Sequence, residues 1–103
     1  MASMLTDVYV NVRKQGNQTV LATCDCDICG KTLRDGKIVF VVREEFYKGM
    51  KVTVEEALEL CKHSAIVNMV GKCIVRHAVK AGLVHPDAIL NISGVPHAQI
   101  VKI

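Results

Sequence analysis

Near the C-terminus, Ser93-Gly94-Val95-Pro96-His97-Ala98-Gln99-Ile100 sets a flexible residue and a rigid one beside side chains that hydrogen-bond or titrate. Gly94 can take a positive φ, while Pro96 fixes its own φ and pushes Val95 toward an extended conformation. His97 would then leave a rigid turn in a defined direction, with an ordinary pKa of about 6.5 that suits acid, base or ligand chemistry. No second histidine, carboxylate or paired nucleophile adjoins it in the sequence. The turn is therefore expected to present His97 and Gln99 for recognition rather than catalysis. The plain alternative is that both satisfy buried backbone groups around a strand turn.

The thiols offer a second chemistry. Cys24, Cys26 and Cys29 fall within six residues, and Cys73 and His77 are spaced one helical turn apart. Four of these five would suit tetrahedral zinc. Against that, the run lacks the paired two-residue spacings of zinc ribbons. Cys24 and Cys26 are also in phase with Val20 and Ala22 on the buried face of a strand, and Cys73 and His77 share an apolar stripe. Inert thiols and no cofactor are expected, with zinc as the alternative.

Asp25-Cys26-Asp27-Ile28-Cys29-Gly30-Lys31-Thr32 imitates a phosphate-binding loop. It has Asp where the first glycine belongs, and a second carboxylate where a phosphate would lie. We exclude a nucleotide site of that kind. Asn68, Lys72, Arg76 and Lys80 recur every four residues opposite the apolar stripe of an expected helix. Such a row is either a solvated helix face or a track for RNA phosphates, where cationic side chains release counterions. Aromatic residues are few, so backbone and shape contacts to RNA are expected to dominate base stacking.

The 103 residues suit a single domain over 1–103, with one modest core. Half are apolar and 22% charged, which excludes a disordered chain. Met1-Ala2-Ser3, ahead of Met4, read as a cloning leftover. The longest aliphatic and aromatic run, Ile38 to Val42, is too short to span a membrane. No signal peptide is apparent, and five cysteines then point to the reducing cytoplasm. The net charge of +3 is uneven: residues 1–59 carry 8 basic and 9 acidic side chains, residues 60–103 carry 5 and 1. All four histidines lie in that second part, so a positive field sits in one half of the fold, as an anionic partner requires.

These groups must be positioned by short elements. Val8, Val10 and Val12 alternate with polar residues as in a half-buried strand, and Gln15-Gly16-Asn17-Gln18 turns it back into a strand over Thr19–Asp25. Cys26–Gly36 reads as loop. Lys37–Arg43 reads as a third strand buried on both faces, or as an edge that pairs across a dimer. Phe46–Gly49 reads as a turn. Thr53 and Glu56 form a capping box for a helix that buries Val54, Ala57, Leu58 and Cys61. Ser64 then caps a second helix running to Ala81 and ended by Gly82, unless one long helix bends there. Short strands at Ala88–Ile92 and Ala98–Ile103 close the chain. The expected class is α+β: a small antiparallel or mixed sheet of about five strands, order β-β-β-α-α-β-β, with two helices packed on one face.

Several of these motifs also carry a resemblance. Gly94-Val95-Pro96-His97-Ala98-Gln99, Cys24-Asp25 with Gly30-Lys31, Phe46-Tyr47 with Gly49, and Ala65, Asn68, Val70 and Gly71 together resemble an archaeal family catalogued as domain of unknown function 424. The resemblance covers most of the chain and implies a small soluble archaeal protein without an agreed activity. Cys26 and Cys29 stand where that family often carries other residues, so chemistry at these thiols would belong to this chain alone. The charge distribution and the lack of a catalytic constellation in the sequence lead us to expect a module that binds structured RNA or a ribonucleoprotein rather than an enzyme. Its surface would comprise Lys31, Asn68, Lys72, Arg76, Lys80, His97 and Gln99. Zinc on the thiols, or a small enzyme built on His97 with Asp25 or Lys31, are the other expectations.

Overall fold

The computed structural model describes residues 7–102; Met1-Ala2-Ser3 and Ile103 lie outside them. Strands β1 (Asp7–Gln15) and β2 (Gln18–Asp25) form the expected hairpin, with Gln15 opposite Gln18. β3 (Thr32–Asp35) and β4 (Ile38–Val41) make a separate two-stranded hairpin, followed by a one-turn helix α1 (Glu44–Tyr47). Then come β5 (Met50–Thr53), α2 (Val54–Lys62), β6 (Ile66–Val70), α3 (Lys72–Lys80), β7 (Leu90–Ile92) and β8 (Val95–Val101). The main sheet has the order β5-β1-β2-β6-β8-β7, with β2 and β6 parallel and the other pairs antiparallel. The chain is thus an α+β domain with more strands than the sequence implied.

Strand alternation divides the interior into two cores. On one face Val8, Val10, Leu21, Val67, Met69 and Ala98 pack against Val54, Ala57 and Cys61 of α2 and Ile74, Val75 and Ala78 of α3. The capping box at Thr53 forms as expected: its hydroxyl accepts from the Glu56 N–H, and the Glu56 carboxylate accepts from the Thr53 N–H. On the other face Ala22, Cys24, Val70 and Ile92 meet Leu33, Val42 and Tyr47, so the β3–β4 hairpin and α1 form a lid. Side chains of β1 hold α1 in place: Asn11 (3.2 Å) and Arg13 both donate to the Glu45 carbonyl.

Five expectations need correction. Ile66–Val70 is a strand, not the first half of a helix from Ser64, whose hydroxyl instead donates back to the Leu60 carbonyl at 2.8 Å. Val67 and Met69 serve one core and Val70 the other, and a strand buried on both faces has the same continuous apolar run as a buried helix. The Ile38–Val41 strand is not buried on both faces: Ile38, Val39 and Val41 are 45%, 54% and 37% exposed, since β4 belongs to a peripheral hairpin. Cys26–Gly36 is not all loop, and α1 replaces the turn expected at Phe46. Finally, the terminal turn is Ser93-Gly94, both at positive φ (54° and 82°), and Pro96 and His97 already belong to β8.

Candidate functional site: a cleft between sheet and lid

His97 alternates with Ala98, which lies in the helix-side core, so His97 points to the lid side. There its imidazole meets the Phe40 ring edge-on, centroids 5.1 Å apart and planes at 62°. Asn68 shares this face, one strand over on β6 and opposite Gln99. Phe40 and Val41 from the end of β4, Arg43 just before α1, and Phe46 and Tyr47 from α1 complete the walls of a cleft of about 250 Å³ around Asn68 and His97. Phe46 packs edge-on against Tyr47 at 5.0 Å, and the Arg13 guanidinium lies 5.2 Å from the Phe46 ring centre.

The electrostatics follow from partial burial. Desolvation pushes the His97 pKa below its ordinary value, so the ring is uncharged at neutral pH. Tyr47 is buried, and burial, helped by the nearby Cys24 thiol, pushes its phenol up to about 12. Arg43 supplies positive charge, and none of the described lining residues is a carboxylate. The cleft therefore combines aromatic faces, a guanidinium, an amide and a neutral imidazole. It can stack a planar ring, hydrogen-bond its edge and hold an anion beside it.

Other expected site residues are distributed differently. Lys72, Arg76 and Lys80 do form an exposed row on α3, but that helix covers the opposite face of the sheet from His97, and Asn68 is not part of the row. Lys72 and Arg76 border a groove with Asn91, Gly94 and Pro96, so the β7–β8 hairpin is flanked by both sites. Gln99 is exposed on β8 beside Asn68, and Lys31 is exposed at the foot of the β3–β4 hairpin, outside the cleft.

Asp25 has a structural task. Its carboxylate accepts from the Cys73 N–H at 2.8 Å and the Ile74 N–H at 3.0 Å, capping α3 from a distant strand. Burial pushes its pKa up, against the two amides that hold it down. A Cβ on Gly71 would lie 2.4 Å from the Asp25 carboxyl carbon, so a bare backbone is required there. Asp25 therefore occupies the α3 N-terminus and does not line the cleft with His97.

The five proposed metal ligands are not gathered into one site. Cys24 faces the lid, where burial and the neighbouring Cys29 thiol raise its pKa, and both thiols are free. Cys73 and His77 ride on α3 across the sheet, their Sγ and Nδ1 3.6 Å apart, with Nδ1 also 2.8 Å from the Cys73 carbonyl. Among the described residues no three His, Cys, Asp or Glu side chains are grouped to hold a metal ion. The sequence reading missed Phe40, Val41, Arg43, Phe46 and Tyr47 as cleft walls. The available signal was an arginine among aromatics within a segment read as strand and turn.

Residues 12–103 match the family described as Protein of unknown function (DUF424). The chain belongs to this family. Phe46, Tyr47, Asn68 and His97, four of the residues that carried the resemblance, come from three separate segments and meet in the cleft. The chain is also similar to the crystal structure of an uncharacterized conserved protein from Methanopyrus kandleri, with a TM-score of 0.74 at 28% identity over 91% of this chain and 90% of that one. No curated protein matches it.

Proposed function

We propose that this DUF424 chain binds structured RNA, or a ribonucleoprotein, by taking an unpaired nucleotide into the cleft between sheet and lid. The carrying observation is that Phe40, Arg43, Phe46, Asn68 and His97 converge on one small concavity. Its volume falls below the roughly 300–1,000 Å³ typical of small-molecule pockets, which suits one ring system better than an extended cofactor. Single-stranded RNA is read by stacking bases on aromatic or guanidinium planes and by hydrogen bonds to base edges. Here Phe40 and Phe46 provide stacking faces, Asn68 and neutral His97 read an edge, and Arg43 meets a phosphate.

The exposed Lys72 and Arg76 on the far side of the β7–β8 hairpin give the backbone a second cationic contact. A cytoplasmic setting accords with five free thiols, and no described helix is long and apolar enough to cross a membrane. Fluorescence anisotropy with a stem-loop RNA and a fully paired duplex across a salt series tests this. The stem-loop should bind more tightly, and Phe40→Ala or Arg43→Ala should remove that preference. Equal affinity for duplex and loop, or variants that bind as the parent does, would refute the cleft as the reading site.

A further inference from the structure

On the helix side of the sheet, at its β5 edge, a second concavity is built from different residues. Among the described residues β5 pairs only with β1, which leaves the outer side of this strand open to another chain. Val52 packs at the margin of the helix-side core, Met50 is 65% exposed, and both join Leu60 of α2 as the apolar floor of a groove of about 560 Å³. Its rim carries Glu55, Glu56, Glu59 and His63. Glu56 serves the Thr53 cap, and Glu59 contacts Lys62 (3.3 Å) and His63 (3.7 Å). The rim stays acidic, on a protein whose net charge is +3. This patch repels nucleic acid and is separate from the cleft.

We propose that this groove docks an extended, lysine- or arginine-rich segment of another protein, laid beside β5. Each property selects part of that occupant. The open strand edge supplies backbone hydrogen bonds to an extended chain. The Met50–Val52–Leu60 floor takes one large apolar anchor, and the carboxylates select basic neighbours. Residues two apart share a face of a strand, so the docking pattern is basic-x-apolar-x-basic. The segment Lys37-Ile38-Val39-Phe40-Val41-Val42-Arg43 of this chain, in which Ile38, Val39 and Val41 are exposed, has a related pattern. Seating it on β5 of a second copy, however, would be a heterologous contact that need not close, so a foreign segment is the occupant we infer.

The test titrates the full chain, with labelled methionine and leucine methyl groups, with the capped peptide Gly-Lys-Thr-Leu-Thr-Lys-Gly. Two control peptides carry serine for leucine, or glutamate for both lysines. Only the first should shift the Met50 and Leu60 methyl signals. Its affinity should fall at least tenfold in Met50→Asp, and likewise in the double variant Glu55→Lys with Glu59→Lys, both folded as judged by their spectra. Absence of binding, or equal binding by the variants, overturns the proposal. Self-association in sedimentation that Met50→Asp abolishes would also overturn it, by assigning the groove to a second copy.

Discussion

Replacing Asp25 with alanine should destabilise the fold far more than loss of an ordinary surface carboxylate would. The side chain is 9% exposed and receives two backbone donors of α3, at 2.8 and 3.0 Å. Leaving each buried donor unpaired costs about 1–3 kcal/mol, partly offset because the buried carboxylate no longer has to be desolvated. A net loss of roughly 2–4 kcal/mol follows, above the roughly 0.5–2 kcal/mol of an ordinary helix cap. At about 4–8 °C per kcal/mol for a domain of this size, Tm should drop by roughly 8–32 °C in a circular-dichroism melt. Asp25→Asn keeps one acceptor and removes the buried charge, so it should lose only about 1–2 kcal/mol. The pH dependence separates the two effects. Burial raises the Asp25 pKa in the folded state, so the protonated form is favoured by folding. The stability from this proton is present below the ordinary carboxylate pKa and is lost as pH rises through the raised value. Asp25→Asn should lack that component, and its deficit relative to the parent should shrink as pH rises. An Asp25→Ala variant that melts within 3 °C of the parent, a drop of less than about 1 kcal/mol, would refute the cap as described.

The same geometry makes Gly71→Ala destabilising by about 2 kcal/mol or more, because φ of 130° is strained for alanine and its Cβ would meet the Asp25 carboxyl. Combined with Asp25→Ala the loss should be less than additive in denaturant titrations. His97 should titrate below its ordinary value by NMR. Because its folded pKa is lowered, its contribution to stability is complete above the unfolded value of about 6.5 and is lost as pH falls from there through the lowered folded value. His97→Gln should flatten that decline in melts between pH 5 and 8. Iodoacetamide applied to the native protein should label half-exposed Cys29 while buried Cys24 and Cys61 react only on unfolding, as peptide mass spectrometry would show. Comparable native labelling of Cys24 would contradict its burial under the lid.

The parts of the fold legible in the sequence are those whose local signals agree with their packing. Val8, Val10 and Val12 with the Gly16-Asn17 turn specified β1–β2, and Thr53 with Glu56 placed the start of α2 to the residue. The β6 strand was hidden because Val67, Met69 and Val70 are buried on two faces, which erases the period-two pattern. The lid was hidden for a different reason. Its hairpin buries Leu33 and Val42 while exposing Ile38 and Val39, so apolar content misreports burial there. His97 was recognisable from its rigid turn and Asn68 from its spacing, but both were attached to the wrong element. Nothing local to either residue encodes the lid that brings Phe40, Arg43 and Phe46 over them.

The cleft, rather than the basic row of α3, should contact an unpaired base. This is tested most directly by NMR on the uniformly labelled chain, following the Asn68 side-chain amide and the His97 imidazole while a short single-stranded oligoribonucleotide is titrated in. Both groups should shift together with the Phe40 and Phe46 ring signals, with intermolecular NOEs from those rings to base protons. Perturbations confined to Lys72, Arg76 and Lys80, with Asn68 and His97 unmoved at saturation, would contradict it.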